Sequence, residues 1–355
     1  MKDVISDANF PRTKDGRVYH LGIRAGEVAN RIITVGSLSR AETIASMLDS
    51  SPESFSLYSE RGFQTITGCY RGVPVSIVCI GMGAPNVDFF IREVRECVRG
   101  DMLVIRLGSC GCLTDLPVGT LVLPKASVSV TRNFDFDFAN GDFWEPPYRL
   151  SKSISADPEL HNALQVSLNA TRPATLKKPI FVDAVNASTD SFYSSQGRQT
   201  SFQDYNSNLI DHIKTAVPKV TTLEMETFFI FHLAASWRGR VHGSSASFPP
   251  LTTRPVVPTS PSPRSAEANS TSTEAPGQAS ILHEPPEKPM IRAAAVQMVF
   301  ASRSSQDFIT PQEVAELEKW SGRGVLEALC GFHIPSENLH PDAGSVWSKE
   351  DKAKL

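Results

Sequence analysis

The chain has 355 residues, 41% hydrophobic and 21% charged, with a formal net charge of −3; it can bury one large or two ordinary cores. The near-neutral charge excludes the strongly basic footprint of a nucleic-acid binder. No apolar run reaches the roughly 20 residues of a membrane span, and the polar opening Met1-Lys2-Asp3-Val4 predicts no secretory signal.

In chain order, the β-branched run 31–35 predicts a strand, followed by the turn Gly36-Ser37-Leu38-Ser39-Arg40 and a helix over 41–48. Gly62, Gly68 and Gly72 punctuate strand-like runs at 63–67 and 75–80. A helix over 87–98 precedes an apolar strand at 102–107, broken by one arginine. Further strands are expected at 119–123, 126–130 and 179–185. The run 220–223 leads into a helix over 225–237, and 291–300 is a late apolar strand. Thr310 is placed to cap an amphipathic helix over 311–328. Apolar strands alternating with helices predict an α/β fold, a mixed sheet flanked by helices on both faces. Six cysteines without zinc-ligand spacing predict reduced thiols and a cytoplasmic location.

Ten of the 25 prolines fall between Val241 and Pro289, in a stretch rich in Ser and Thr and nearly free of aromatic residues. Such a composition cannot bury enough apolar surface to offset ordering entropy. The expected organisation is therefore one domain, 1–238 and 290–335, interrupted by a disordered insertion at 239–289 and followed by a C-terminal tail, 336–355. The insertion joins a helix to a strand, where an added surface loop costs little stability.

Four places set polar residues at strand ends, where ligands bind in open α/β sheets. Gly36 to Arg40 joins a strand to a helix start, a geometry that binds anions through backbone N–H groups and the helix dipole. Taken alone, an ordinary strand–helix turn with an N-cap serine is the plainer reading. Arg106, in Val-Ile-Arg-Leu-Gly-Ser-Cys-Gly, is costly to bury without an anionic partner. That partner is either a ligand or a core carboxylate, and Ser109 adds a hydroxyl beside it. Glu224-Met225-Glu226 stands where a strand meets a helix. Glu226 at a helix start would stay ionised and accept from a diol, and Met225 could pack on a sugar. The alternatives there are a helix-start acidic pair with Met225 in the core, and acid–base work by the two carboxylates. Finally, Gln196 and Arg198 sit two residues apart, so on an extended segment they point the same way. Their donors and acceptor match an imide edge, and Phe192 offers a stacking face.

The joint order is more specific than any one motif. Gly-x-x-x-Arg, Arg-Leu-Gly-Ser-x-Gly, Phe-Tyr-x-x-Gln-x-Arg and Glu-Met-Glu together resemble the uridine phosphorylases of the nucleoside phosphorylase I family, over residues 18–238 and 290–331. The resemblance implies a single α/β domain around a barrel-like mixed sheet, and reversible phosphorolysis of uridine to uracil and ribose 1-phosphate. It implies phosphate as co-substrate and a homodimer or a hexamer of dimers with shared sites; no cofactor is expected, and no metal either, because Gly62 departs from the potassium-binding pattern of bacterial members. Nucleic acid and membrane are not expected partners.

By motif matching, Gly36, Arg40, Arg106 and Ser109 would bind phosphate, with Arg61 supplied by the neighbouring subunit. His20 of the neighbour would join Met225 and Glu226 at the ribose. Phe192, Gln196, Arg198 and Arg303 would take the base, and Arg106, Gln196, Arg198 and Glu226 would carry the catalysis. Arg303 favours pyrimidines, because purine-specific relatives place Ser-Asp there. Three departures stand out. Gly62 replaces a glutamate that helps bind potassium in bacterial members, Cys112 replaces a glycine and could crowd the phosphate turn, and Ser302 replaces an asparagine. The alternatives are a purine nucleoside phosphorylase or nucleosidase of the same fold, and a non-catalytic nucleoside-binding or storage protein.

Overall fold

The computed structural model describes residues 4–141, 144–237 and 289–348. The expected insertion lies, apart from Pro289, outside the described residues. A short ribbon, β1 (Ile5–Ser6) with β2 (Arg12–Thr13), precedes β3 (Arg31–Val35) and α1 (Leu38–Ala45). Next come β4 (Phe55–Tyr58), β5 (Gln64–Tyr70), β6 (Val73–Cys79) and α2 (Ala84–Cys97). The long strands β7 (Met102–Cys112) and β8 (Leu121–Arg132) follow, then β9 (Tyr148–Leu150), β10 (Ile154–Ser155) and α3 (Pro158–Ala170). The remainder is β11 (Ile180–Thr189), α4 (Leu209–Ala216), β12 (Val220–Glu224), α5 (Thr227–Ser236), β13 (Ile291–Ser302) and α6 (Pro311–Gly331).

Five strands close on themselves. β8 pairs β11, β11 pairs β12, β12 pairs β7, β7 pairs β13, and β13 returns to β8. The sheet then extends outward from β7 through β3, β6, β5 and β4. This is the mixed, barrel-like α/β sheet expected from the sequence. Side-chain alternation explains why both faces carry helices. In β7, Leu103, Ile105 and Leu107 enter the core that α1, α3 and α6 cover, whereas Met102 and Val104 enter the core beneath α2 and α5. β13 divides likewise, with Ala294, Val296 and Met298 on one side and Ile291, Ala293 and Ala295 on the other.

One strand changes partner midway. The first half of β7 pairs β3 at Leu103–Arg106, and its end pairs β12 at Gly111 and Cys112. Between them, from Leu107 to Cys110, neither β3 nor β12 occupies that edge. A sheet opens into a crevice at such a switch of neighbours.

Several elements differ from expectation. The two strands predicted at 119–123 and 126–130 are one, because Pro124 sits at a register shift in the β8–β11 ladder that accommodates it without ending the strand. The strand at 102–107 runs on to Cys112, through glycines that remain in the ladder with β13. Helices α3 and α4 were not foreseen. Asp157, whose side chain accepts from Leu160 N, and Pro158 at the first position were the available signal for α3. Thr310 does cap α6, in a full capping box with Glu313. All six cysteines are free.

The expected tail is docked as far as it is described. Asn338 O accepts from Asp101 N at 2.9 Å, and Val346 N donates to Gly26 O at 2.9 Å. Trp347 is buried against Ala29 and Cys69. No helix among the described residues is long and apolar enough to cross a membrane.

Candidate active site

The crevice beside β7 is lined by Gly36, Arg40, Arg106 and Ser109, by Met225 and Glu226, and by Phe192, Gln196 and Arg198. Nine of the twelve residues singled out from the sequence thus meet in one cleft. His20, Arg61 and Arg303 do not line it.

Arg106 continues the Met102–Val104 row of β7 to the point where α5 begins. Its Nη2 donates to Glu226 Oε2 at 2.7 Å, so the core-carboxylate alternative holds for one nitrogen. Nε and Nη1, also buried, meet no hydrogen-bond partner among the described residues. Two glycines give this guanidinium its room. A Cβ on Gly36 would lie 3.3 Å from Nη2, and one on Gly108 would lie 3.3 Å from Nε. Gly108 therefore admits Arg106 itself rather than a ligand, whereas a Cβ on Gly111 would meet nothing within 4 Å.

Arg40 lies in the first turn of α1. It is 5% exposed, and its Nε donates to Glu318 Oε1 of α6 at 2.8 Å. Burial lowers its pKa, and Glu318 opposes the shift. Two buried arginines therefore face one corner, each tied to a carboxylate. Cys112 does not itself line the crevice; it packs with Cys110, which does, and with Val122, Ala184 and Val299.

Glu226 stands at the N-cap position of α5 without capping it through its side chain. Its Oε1 accepts from Gly83 N at 2.6 Å and its Oε2 from Arg106. Burial raises its pKa above the usual carboxylate value, further supported by Glu224 and opposed by Arg106. The expectation that the helix start alone keeps it ionised is thus replaced by a balance between burial and Arg106. Glu224 is saturated. It accepts from Glu226 N at 2.9 Å, Thr227 N at 3.0 Å, Asn186 Nδ2 at 2.7 Å and the Ser188 hydroxyl. It is built to hold the elbow before α5, not to shuttle protons.

Gln196 and Arg198 do come together, though not on an extended segment. A 3-10 turn, Ser194–Gln196, ends at Gly197, whose φ of 65° is the left-handed conformation glycine tolerates. Arg198 Nη1 then donates to Gln196 Oε1 at 2.5 Å and to Phe192 O at 2.6 Å. Its Cζ lies 3.7 Å from the Phe192 ring centroid. Partial burial, with the charge of Arg303 nearby, lowers the Arg198 pKa to about 10. Arg303 itself donates from Nη2 to the backbone carbonyl of Gln196 at 2.7 Å. β13 pairs with β7 as far as Ser302 opposite Cys112, but its register shifts by one residue between Val299 and Ala301, just before the strand hands on to Arg303.

His20 and Arg61 gather on the surface instead. His20 stacks on Phe89 at 3.8 Å and pairs with Glu93 at 2.6 Å, while Arg61 covers the Tyr19 ring and donates to its hydroxyl. Sequence reasoning missed Gly83, Glu318 and the pocket-lining Met82 and Phe308. The Gly81-Met82-Gly83 turn was a usable signal for Gly83. Nothing near Glu318 distinguishes it from any exposed helical glutamate.

Residues 30–241 match the family model described as the phosphorylase superfamily, and the chain belongs to that family of enzymes. It is 30% identical over 238 residues to a uridine phosphorylase from Thermococcus kodakarensis, covering 66% of this chain and 78% of that one. A solved structure from a study of two uridine phosphorylases of the oomycete Phytophthora capsici superposes with a TM-score of 0.75 at 34% identity, covering 93% of this chain and all of that one. A DeoD-type purine nucleoside phosphorylase from Bacillus subtilis is 27% identical over 230 residues, 64% of this chain and 82% of that one.

Proposed function

We propose that this chain is a uridine phosphorylase that transfers ribose reversibly between uracil and phosphate, in pyrimidine nucleoside salvage and catabolism. The observation that carries this reading is that one crevice gathers two buried arginines, a carboxylate bonded to one of them, and an amide–guanidinium pair beside an aromatic ring. Phosphate would sit against the unpartnered Nε and Nη1 of Arg106 and against Arg40, with Ser109 beside it. Glu226 and Met225 would hold the ribose, so phosphate and C1′ meet as an effectively unimolecular pair. As the glycosidic bond breaks, negative charge grows on the base. The Arg198 guanidinium, over one face of the Phe192 ring, is placed to stabilise it, while Gln196 reads the base edge.

The test is release of uracil from uridine with and without phosphate, beside thymidine, inosine and methylthioadenosine. Phosphate-dependent cleavage of uridine is expected. Equal cleavage without phosphate overturns the phosphorylase reading, and preference for inosine makes it a purine enzyme. Ligand binding without turnover makes it a storage protein.

His20 and Arg61 enter this scheme from a second copy of the chain, in a homodimer or a hexamer of dimers. Mixing inactive Arg61→Ala and Arg106→Ala proteins and letting subunits exchange is expected to restore activity well above either parent. No restoration, with exchange verified, would remove Arg61 from the site. The free thiols fit a reducing compartment, which we take to be the cytoplasm.

A further inference from the structure

Thr189 ends β11 and is fully buried. Its hydroxyl donates to the backbone carbonyl of Glu224 at 3.2 Å and accepts from Gln196 Nε2 at 3.0 Å. A hydroxyl has one proton to give, and the Glu224 carbonyl can only accept. With that proton spent, Thr189 Oγ1 offers Gln196 an acceptor and nothing else.

The other side of the amide makes the same demand. Arg198 Nη1 lies 2.5 Å from Gln196 Oε1, and a guanidinium only donates. The two ends of a glutamine amide have nearly the same shape, so packing alone scarcely distinguishes the two orientations. Here two independent hydrogen bonds do. The NH₂ is turned inward to Thr189 and the carbonyl outward to Arg198. Arg303 holds the Gln196 backbone through its carbonyl, which fixes position but leaves the side-chain amide free to flip.

We propose that Thr189 is a positioning residue that sets base choice by locking Gln196 as an acceptor. The inference rests on the reading of Gln196 and Arg198 as the base-contacting pair. A carbonyl oxygen has two lone pairs, and Arg198 takes one. The second suits a ring N–H flanked by carbonyls, the imide edge of a uracil-type base. A cytosine-type ring presents an acceptor nitrogen at that position and would meet Oε1 lone pair to lone pair. A site built to pair with a substrate N–H discriminates far more strongly than one that recognises shape alone.

The test uses the full chain with Thr189→Val, which keeps the shape and removes the hydroxyl, and Thr189→Ser, which keeps the hydroxyl. The readouts are kcat/KM for uridine and for cytidine at saturating phosphate, and KM for phosphate. Thr189→Val is expected to lower the uridine-to-cytidine ratio by about tenfold or more, with KM for phosphate unchanged. Thr189→Ser should retain the wild-type ratio. An unchanged ratio in Thr189→Val overturns the proposal, as does an equal collapse in Thr189→Ser, which would make the role one of packing. If Thr189→Val does not fold, Gln196→Glu decides, because a carboxylate presents an acceptor whichever way it turns. That variant is expected to keep uridine ahead of cytidine, and a reversal rejects the idea. Wild-type protein that fails to cleave uridine with phosphate would instead remove the underlying function.

Discussion

Replacing Arg106 with alanine is expected to lower phosphorolysis of uridine by at least about 10²–10³-fold, the usual cost of deleting one preorganised electrostatic stabiliser. The loss should exceed that of a simple binding contact, because Arg106 serves two parts of the site. Its unpartnered Nε and Nη1 point to the phosphate role, while Nη2 holds Glu226. KM for phosphate should rise and kcat should fall together. The fold should suffer too, since alanine leaves a buried carboxylate with only Gly83 N from its former pair of donors, and breaking a buried pair costs about 3–5 kcal/mol. Arg106→Lys separates the two effects. Lysine keeps a positive charge near Glu226 and so much of the stability, but it lacks the planar fork and should remain poorly active. Steady-state kinetics with phosphate varied, beside thermal melts of both variants, checks this. Wild-type kinetics in Arg106→Ala would remove the residue from the mechanism.

The second large effect is expected at Glu226→Gln. A carboxylate accepts on both oxygens, and here Gly83 N and Arg106 Nη2 use one each. A glutamine must turn its NH₂ toward one of those donors, which sets donor against donor. The variant should lose about 10²-fold or more in kcat/KM for uridine, and proportionally less for 2′-deoxyuridine, which lacks one hydroxyl for the residue to hold. The pH dependence follows from burial, which raises the Glu226 pKa above its ordinary 4.5. As pH falls, this carboxylate protonates before an exposed one would, so activity is lost earlier on the acid side. Glu226→Gln should lack that limb while keeping the limb due to phosphate itself. An identical acid limb in both proteins would show that Glu226 does not titrate in the working range.

The central strands and most of the helices were legible from the sequence because they depend on local apolar runs and periodicity. Runs such as 31–35 and 102–107 are buried on both faces and carry that signal in their own composition. The closure of five strands is different. It depends on which strand neighbours β7 beyond Leu107, a long-range pairing that no local pattern encodes. The site divides in the same way. Arg106, Gln196 and Glu226 stand in compact motifs and were identified from them. Glu318 acts only because α6 returns beside α1, and Thr189 only because β11 ends beside the 194–198 turn. Arg303, which the motif match set on the base, also bonds the backbone carbonyl of Gln196, a contact that no local pattern announces.

The junction between α5 and β13 has a consequence for how this protein can change. Glu226 stands at the start of α5, and ten helical residues separate it from Trp237, about 15 Å along the axis. On the return, Ile291 pairs with Met102 at the opposite end of β7 from Gly111, and Met290 N is tied to Asp101 at 2.8 Å. The chain therefore leaves and re-enters the domain on the face remote from the crevice. Neither anchor of that junction, Trp237 or Met290, lines the crevice. Those two points are where an engineer would graft an epitope or fluorophore, with uridine turnover as the assay that the graft is silent.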